Sequence, residues 1–211
     1  MTRGRFITFE GGEGAGKSTQ VRRLAQRLAG VAAEVVLTRE PGGSPGAEAI
    51  RQLLVTGDVD RWSACTETLL FYAARRDHIE RMILPALDRG AWVVSDRFAD
   101  STRAYQDSAG GADPALIEAL ETHVLEGLKP DLTLVLDLPV EVGLARAAAR
   151  RQGETRFEDK GRAFHQRLRA AFLHIASAEP GRCVVIDAAA AEDEVEAAVW
   201  AAVETRFGAG R

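Results

Sequence analysis

The sequence predicts an α/β fold, a five-stranded parallel sheet flanked by helices on both faces. Two observations carry that prediction. Five short apolar runs, Arg5–Glu10, Glu34–Arg39, Trp92–Asp96, Leu132–Asp137 and Cys183–Asp187, lack apolar–polar alternation, which is the pattern of strands buried on both faces. Long segments of helical periodicity separate them, and strand–helix alternation builds parallel crossovers. A third observation locates the chemistry. The first run leads into Gly11-Gly12-Glu13-Gly14-Ala15-Gly16-Lys17-Ser18-Thr19, and Val21, Leu24, Ala25 and Leu28 follow at helical spacing. Strand, glycine loop and helix in that order form the setting of a phosphate-binding loop, and the pattern G-x-x-x-x-G-K-S is complete.

In such a loop the glycines let the backbone curl so that N–H groups point at phosphate oxygens. The helix start adds free N–H groups and the positive end of its dipole. Lys17 reaches the outer phosphates of ATP, and Ser18 offers a hydroxyl to Mg²⁺. Lysine is scarce here: Lys17, Lys129 and Lys160 are the only three among 27 basic residues, so a lysine at this position is not drawn from a lysine-rich surface.

A chain of 211 residues fits a single domain, 1–211. Its 46% hydrophobic and 27% charged content is that of a soluble globular protein. A net charge of −4 gives no general pull toward nucleic acid. Cys65 and Cys183 have no disulfide-type spacing and suit a reducing cytosol. The four histidines show no zinc-type spacing with them. The first apolar run ends at Glu10, too short for a signal peptide, and no run of membrane-spanning length follows. The expectation is a cytoplasmic protein.

After the second strand, Arg39-Glu40-Pro41-Gly42-Gly43-Ser44-Pro45-Gly46 reads as a shaped loop. A helix from Ala47 to Val55 carries Arg51, which alone reads as a surface arginine. The segment Glu67–Asp88 reads as one long apolar helix. Phe71 and Arg75 lie four apart on it and so share a face. That pairing suits stacking on a base and hydrogen-bonding its edge. Spacing alone favours a core aromatic beside an ion-paired arginine. The third strand ends in Ser95-Asp96-Arg97-Phe98, and an arginine at that mouth suits a bidentate phosphate clamp. A helix starting near Ser101 sets Thr102, Tyr105 and Gln106 on one face. Asp113-Pro114 opens the next helix, with Asp as cap and Pro in the first turn.

Pro139 leads into a helix over Val140–Arg151, and Gly153–Glu158 interrupts the periodicity. From Glu141 to Ala170 there are eight basic and four acidic residues. That basic zone reads either as facing a polyphosphate or as a solvated helix surface. The excursion around Arg150, Arg151 and Arg156, about 147–160, reads as a lid. Helices over Phe164–Ala178 and Glu192–Phe207, the latter acidic, close the chain.

Taken together these blocks are similar to the thymidylate kinase family. The similarity is carried by Phe9–Thr19, by Arg39-Glu40-Pro41-Gly42-Gly43, by Leu70-Phe71-Tyr72-Ala73-Ala74-Arg75, and by Ser95-Asp96-Arg97-Phe98 with Ser101-Thr102 and Ala104-Tyr105-Gln106. Pro130-Asp131-Leu132-Thr133-Leu134 and Arg156-Phe157-Glu158 add to it. The resemblance implies a nucleoside monophosphate kinase architecture of the P-loop NTPase type, phosphorylation of dTMP by MgATP, and a homodimer. It implies ATP binding by Gly11–Thr19 and Arg150. It implies dTMP binding in which Phe71 stacks on thymine, Arg75 and Thr102 read its edge, Tyr105 disfavours a 2′-hydroxyl, Glu13 faces the 3′-hydroxyl, and Arg51 and Arg97 hold the phosphate, with Ser101 and Gln106 beside them. Lys17, Asp96, Arg97 and Arg156 would be the catalytic set.

The family has two layouts, one with an arginine inside the phosphate loop and one that supplies it from the lid. Gly14 resembles the second, bacterial layout, with Arg156 the first candidate and Arg150 the next. Two rivals stay open at this point: a deoxynucleoside kinase, and a nucleotide-dependent binding module with no phosphoryl acceptor.

Overall fold

Five strands, β1 (Arg5–Glu10), β2 (Val35–Arg39), β3 (Trp92–Asp96), β4 (Leu132–Asp137) and β5 (Cys183–Asp187), pair in parallel in the order β2-β3-β1-β4-β5. The structure, a computed structural model, describes residues 3–109, 111–150, 156, 157 and 160–208. Central β1 shows why alternation is missing. Phe6 packs into one layer, with Ile79, Ile83, Leu87, Val93 and Phe98. Ile7 and Phe9 pack into the opposite layer, with Leu24, Leu28, Val199 and Trp200. Each of those three β1 side chains is at most 1% exposed, and burial at that level contributes about 1.5–3 kcal/mol per side chain. Apart from Arg5 at the start of β1, the strand charges stand at the carboxyl ends, along one edge of the sheet. There the order reverses about β1, leaving the crevice in which open parallel sheets bind ligands.

The helices are α1 (Lys17–Leu28), α2 (Pro45–Val55), α3 (Ala64–His78), α4 (Leu84–Asp88), α5 (Ala99–Thr102), α6 (Pro114–Leu125), α7 (Val140–Arg150), α8 (Arg162–Ala178) and α9 (Glu192–Phe207). Several differ from the sequence expectation, α8 by starting at Arg162, two residues before Phe164. Helix α2 starts two residues early because Pro45 occupies its first turn, where its missing N–H costs nothing. Helix α3 opens at Ser63, whose Oγ accepts from the Thr66 N–H at 3.2 Å. The expected long helix is also broken by a π turn, Ile79–Ile83, where the Leu84 N–H reaches back to the Ile79 carbonyl. Pro85 follows and supplies no donor, so the ladder shifts by one residue. Helix α5 likewise runs into a π segment, Arg103–Ala109. Of the expected lid, 147–150 belong to α7, and 151–155, 158 and 159 lie outside the described residues.

Candidate active site

The phosphate loop curls between β1 and α1 over the crevice. Gly14 has φ +70°, and a Cβ there would lie 2.0 Å from the Gly143 carbonyl oxygen. The approach is mutual: a Cβ on Gly143 would lie 2.4 Å from the Glu13 carbonyl oxygen. Two glycines therefore let the first turn of α7 lie against the loop, and the same contact leaves no room for an arginine at position 14. Gly143→Ala must push the loop backbone away. Its expected outcome is weaker ATP binding with the sheet intact, checked by titration calorimetry beside a thermal melt.

Lys17 Nζ donates to the carbonyls of Gly11 (3.2 Å) and Gly12 (2.8 Å), folding back along the loop. Burial, with Arg97 adding to it, lowers its pKa to about 8, against Glu13, Asp96 and Glu10. Phosphate oxygens would favour the protonated ammonium, so ATP binding should take up protons. At pH 8 about half a proton per site is expected, less at pH 7. Calorimetry in buffers of different ionisation enthalpy measures it, and ATP affinity should fall as pH rises above 8. Beside Lys17, Ser18 Oγ donates to Asp96 Oδ2 at 2.6 Å.

Arg97 is the hub of the crevice. Its φ of +73° is unusual for a residue with a side chain. It is held by a backbone bond to the Phe9 carbonyl at 2.9 Å. Its Nη1 donates to the Gly11 carbonyl and Ser101 Oγ, both at 3.1 Å, and its Nη2 donates to Glu13 Oε1 (3.0 Å) and Tyr105 Oη (2.8 Å). Tyr105 also donates to Glu13 Oε1 at 2.5 Å. Burial opposes ionisation of Glu13, yet Arg97, Lys17 and the Tyr105 hydroxyl hold its carboxyl down at about 2. Burial raises the Tyr105 phenol well above its ordinary range, so it stays a donor.

At the far end of the cleft, Arg75 is 2% exposed. It donates from Nε to Glu40 Oε2 (2.7 Å), from Nη1 to Thr102 Oγ1 (3.0 Å) and from Nη2 to the Phe98 carbonyl (3.1 Å). Three of the five guanidinium N–H groups are used, leaving two for a ligand. The two sequence readings thus meet in one residue, which is ion-paired and also lines the cleft. Arg51 donates to the Pro41 carbonyl at 2.6 Å and lines the same cleft. Gln106 Nε2 donates to Glu67 Oε1 at 3.0 Å. One cavity of about 310 Å³ is lined by Glu13 to Ser18, Arg51, Phe71, Arg75, Asp96, Arg97, Ser101, Thr102, Tyr105 and Gln106. Gly11 and Gly12 line a smaller space beneath the loop, and Thr19 lies in the first turn of α1. A single chamber with a phosphate loop at one end and a ring–guanidinium pair at the other can hold two reactants phosphate to phosphate.

A profile of the thymidylate kinase family matches residues 9–199. The chain is 66% identical over 208 residues to a thymidylate kinase of Caulobacter vibrioides, covering 99% of this chain and 100% of that protein. It is 57% identical to one of Nitrobacter winogradskyi, covering 97% and 90%. A crystal structure of thymidylate kinase from Ehrlichia chaffeensis superposes with a TM-score of 0.77 at 34% identity, covering 95% of this chain and 99% of that one. The chain belongs to the thymidylate kinase family.

One residue that the thymidylate kinase resemblance placed on the phosphoryl group is held elsewhere. Arg156 is 2% exposed and absent from the cavity lining. Its guanidinium donates to the carbonyls of Leu54 (3.0 Å), Asp58 (2.9 Å) and Val59 (3.0 Å) and pairs with Glu67 Oε2 at 2.5 Å. Four acceptors at the ends of α2 and α3 outcompete the crevice for it. Arg150 ends α7, and its side chain lies outside the described residues.

Four residues that build the site received no role from the sequence, although Glu10 and Glu40 stand in the blocks that carry the resemblance. Glu10 accepts from the Phe98 N–H (2.8 Å), the Ser101 N–H (3.3 Å) and Ser101 Oγ (2.6 Å), tying the Arg97 loop to β1. Burial, with Asp100 beside it, lifts its carboxyl to about 7. Glu40 joins Arg75 to His78 Nδ1 (2.9 Å), and His78 Nε2 meets Thr38 Oγ1 at 2.6 Å. Gly143 is the fourth. The sequence signal for Glu10 and Glu40 was their place at strand ends, where an apolar residue would otherwise finish the strand.

Proposed function

We propose that the chain transfers the γ-phosphate of ATP to dTMP, giving dTDP and ADP for dTTP synthesis. The observation that carries this is the single cleft joining Lys17 and Ser18 at one end to Phe71 and Arg75 at the other, with Arg51 and Arg97 between them. Loop N–H groups and Lys17 bind the ATP phosphates. Arg51 and Arg97 hold the acceptor phosphate, Phe71 supplies a stacking face, and Arg75 offers its two remaining N–H groups to the base edge. The acceptor is already ionised, so no general base is needed. Glu13 is ionised at neutral pH with both its bonds on Oε1, so Oε2 is left for a sugar hydroxyl. The buried Tyr105 hydroxyl crowds the position of a 2′-hydroxyl.

The transferring phosphoryl group spreads charge over its oxygens and needs cations around it. Lys17 and Arg97 supply two. Arg150, the second candidate of the sequence, is proposed as the third.

The hydroxyl of Ser18 and the carboxylate of Asp96 are hard oxygen donors beside the triphosphate cradle, the donor set that suits Mg²⁺. When bound it would neutralise phosphate charge. Among the described residues no three acidic, His or Cys side chains form a metal cage, in keeping with an ion held largely by phosphates and water.

The chain is further proposed to act as a single domain, 1–211, in a homodimer. Supporting the dimer, α3 leaves Leu69 and Ala73 exposed along one face, with Leu70 partly so. Light scattering should return twice the chain mass. Cys65 is exposed and free, in keeping with a reducing cytoplasm. No helix among the described residues is long and apolar enough to cross a membrane.

Purified protein with ATP should convert dTMP to dTDP and leave thymidine untouched. Phosphorylation of thymidine instead would establish the deoxynucleoside kinase alternative, and ATP turnover that ignores any monophosphate would establish the binding module.

A further inference from the structure

The four acceptors around Arg156 come from two elements that build the acceptor site. The carbonyls of Leu54, Asp58 and Val59 stand at and just beyond the C-terminal end of α2, where carbonyls lack intrahelical partners and the helix dipole favours a cation. The same helix carries Arg51. Glu67 lies in the first turn of α3, the helix of Phe71 and Arg75, and its second oxygen accepts from Gln106 in the cleft. Such a bond set is demanding. Only a planar fork covers three carbonyls and a carboxylate at once.

The residue after Arg156 is what this anchoring positions. Phe157 lines the cleft. Its ring lies 6.0 Å from Phe71, tilted by 55°, and 5.6 Å from Tyr105, at 87°. Arg156 Cζ stands 5.2 Å from the Phe157 ring centre, and Lys160 Nζ 5.1 Å. Phe157 is thus held by cations and offers aromatic surface beside the two rings assigned to the acceptor.

We infer that Arg156 is a positioning residue for the acceptor base: it pins the Arg156–Phe157 turn to the ends of α2 and α3, and so makes Phe157 a wall of the slot that takes the pyrimidine ring. The inference rests on the dTMP kinase reading of the cleft. It separates two roles that a lid arginine can have, because a side chain outside the cavity lining and bonded to α2 and α3 acts through Phe157 and not on the phosphoryl group.

The test compares Arg156→Met, Phe157→Ala and the double variant in steady-state kinetics. Loss of one aromatic face from a base corresponds to about a five- to hundredfold effect. Each single variant should therefore raise the KM for dTMP about tenfold or more, with the KM for ATP and kcat changed by no more than about threefold. The double variant should be no worse than Arg156→Met alone, because the two act through one contact. Arg156→Lys should recover only part of the loss. A kcat fall of about a hundredfold with the dTMP KM unchanged would put Arg156 back on the phosphoryl group and overturn the proposal. Additive effects in the double variant, or an unchanged dTMP KM in Phe157→Ala, would overturn it as well.

Two readouts keep the proposal separate from the reading beneath it. Should Arg156→Met fold poorly, Phe157→Ala, at a partly exposed position, still decides the kinetic claim. The pin itself is read without substrate: hydrogen exchange over 54–59 should quicken in Arg156→Met and stay unchanged in Phe157→Ala, and the absence of that difference would overturn it. A wild-type protein inactive on dTMP is the failure of the dTMP kinase reading, seen before any variant is made.

Discussion

Replacing Arg97 by alanine lowers kcat/KM for dTMP on the order of a thousandfold, the scale of losing a charge-assisted donor from both ground state and transition state. Alanine is the informative substitution because it keeps a Cβ, so the cost of the left-handed backbone at φ +73° is unchanged. Lysine should recover little, because Arg97 spreads its bonds over Gly11, Glu13, Ser101 and Tyr105 as a planar fork. The variant also removes the main charge holding Glu13 down. That carboxyl, depressed from 4.5 to about 2, contributes stability above its unfolded value and loses it as pH falls from 4.5 toward 2. Without Arg97 that contribution shrinks, so stability should fall less steeply between pH 4.5 and 2 than in the wild type. Steady-state kinetics and melts between pH 3 and 7 check both parts.

Arg75→Met has the largest expected effect on stability. Arg75 and Glu40 are a buried pair, 2% and 3% exposed at their side chains. Removing one partner leaves the other charge buried, a loss of about 3–5 kcal/mol. His78 still faces Glu40, so the lower end, about 3 kcal/mol, is expected here. For a chain of this size that is a melting-temperature drop of roughly 6–12 °C. Removing both charges, Glu40→Leu with Arg75→Met, should melt higher than Arg75→Met alone. Both variants should lose preference for thymine, because the N–H groups proposed for the base edge are gone. Melts report the first effect, and turnover on competing monophosphates reports the second.

The fold was legible because its signal is local. Each strand is a run with no alternation, and Phe6, Ile7 and Phe9 show the cause, since neighbouring side chains on β1 enter opposite core layers. The phosphate loop and the Asp96–Arg97 mouth were legible for the same reason, as short motifs at strand ends. What escaped was non-local. Nothing near Gly143 in sequence announces that its α-carbon must touch the loop at Glu13 and Gly14. Glu40 and Arg75 are 35 residues apart, and Glu67 and Gln106 are 39 apart. Arg156 is the sharpest case. Its charge and its position in a basic stretch fit a phosphate ligand, but its bonds go to carbonyls about a hundred residues back, at Leu54, Asp58 and Val59. Backbone carbonyls carry no residue-type signature, so no reading of side chains could find them.

The central claim is that one cleft reads thymine at the Phe71–Arg75 end and delivers phosphate from the Lys17 end. A coupled ADP-release assay across dTMP, dUMP, dCMP, dGMP and CMP, at fixed MgATP, tests it most directly. The account predicts the highest kcat/KM on dTMP and negligible ADP release with no monophosphate present. Turnover that peaks on dGMP or CMP, with none on dTMP, would contradict it.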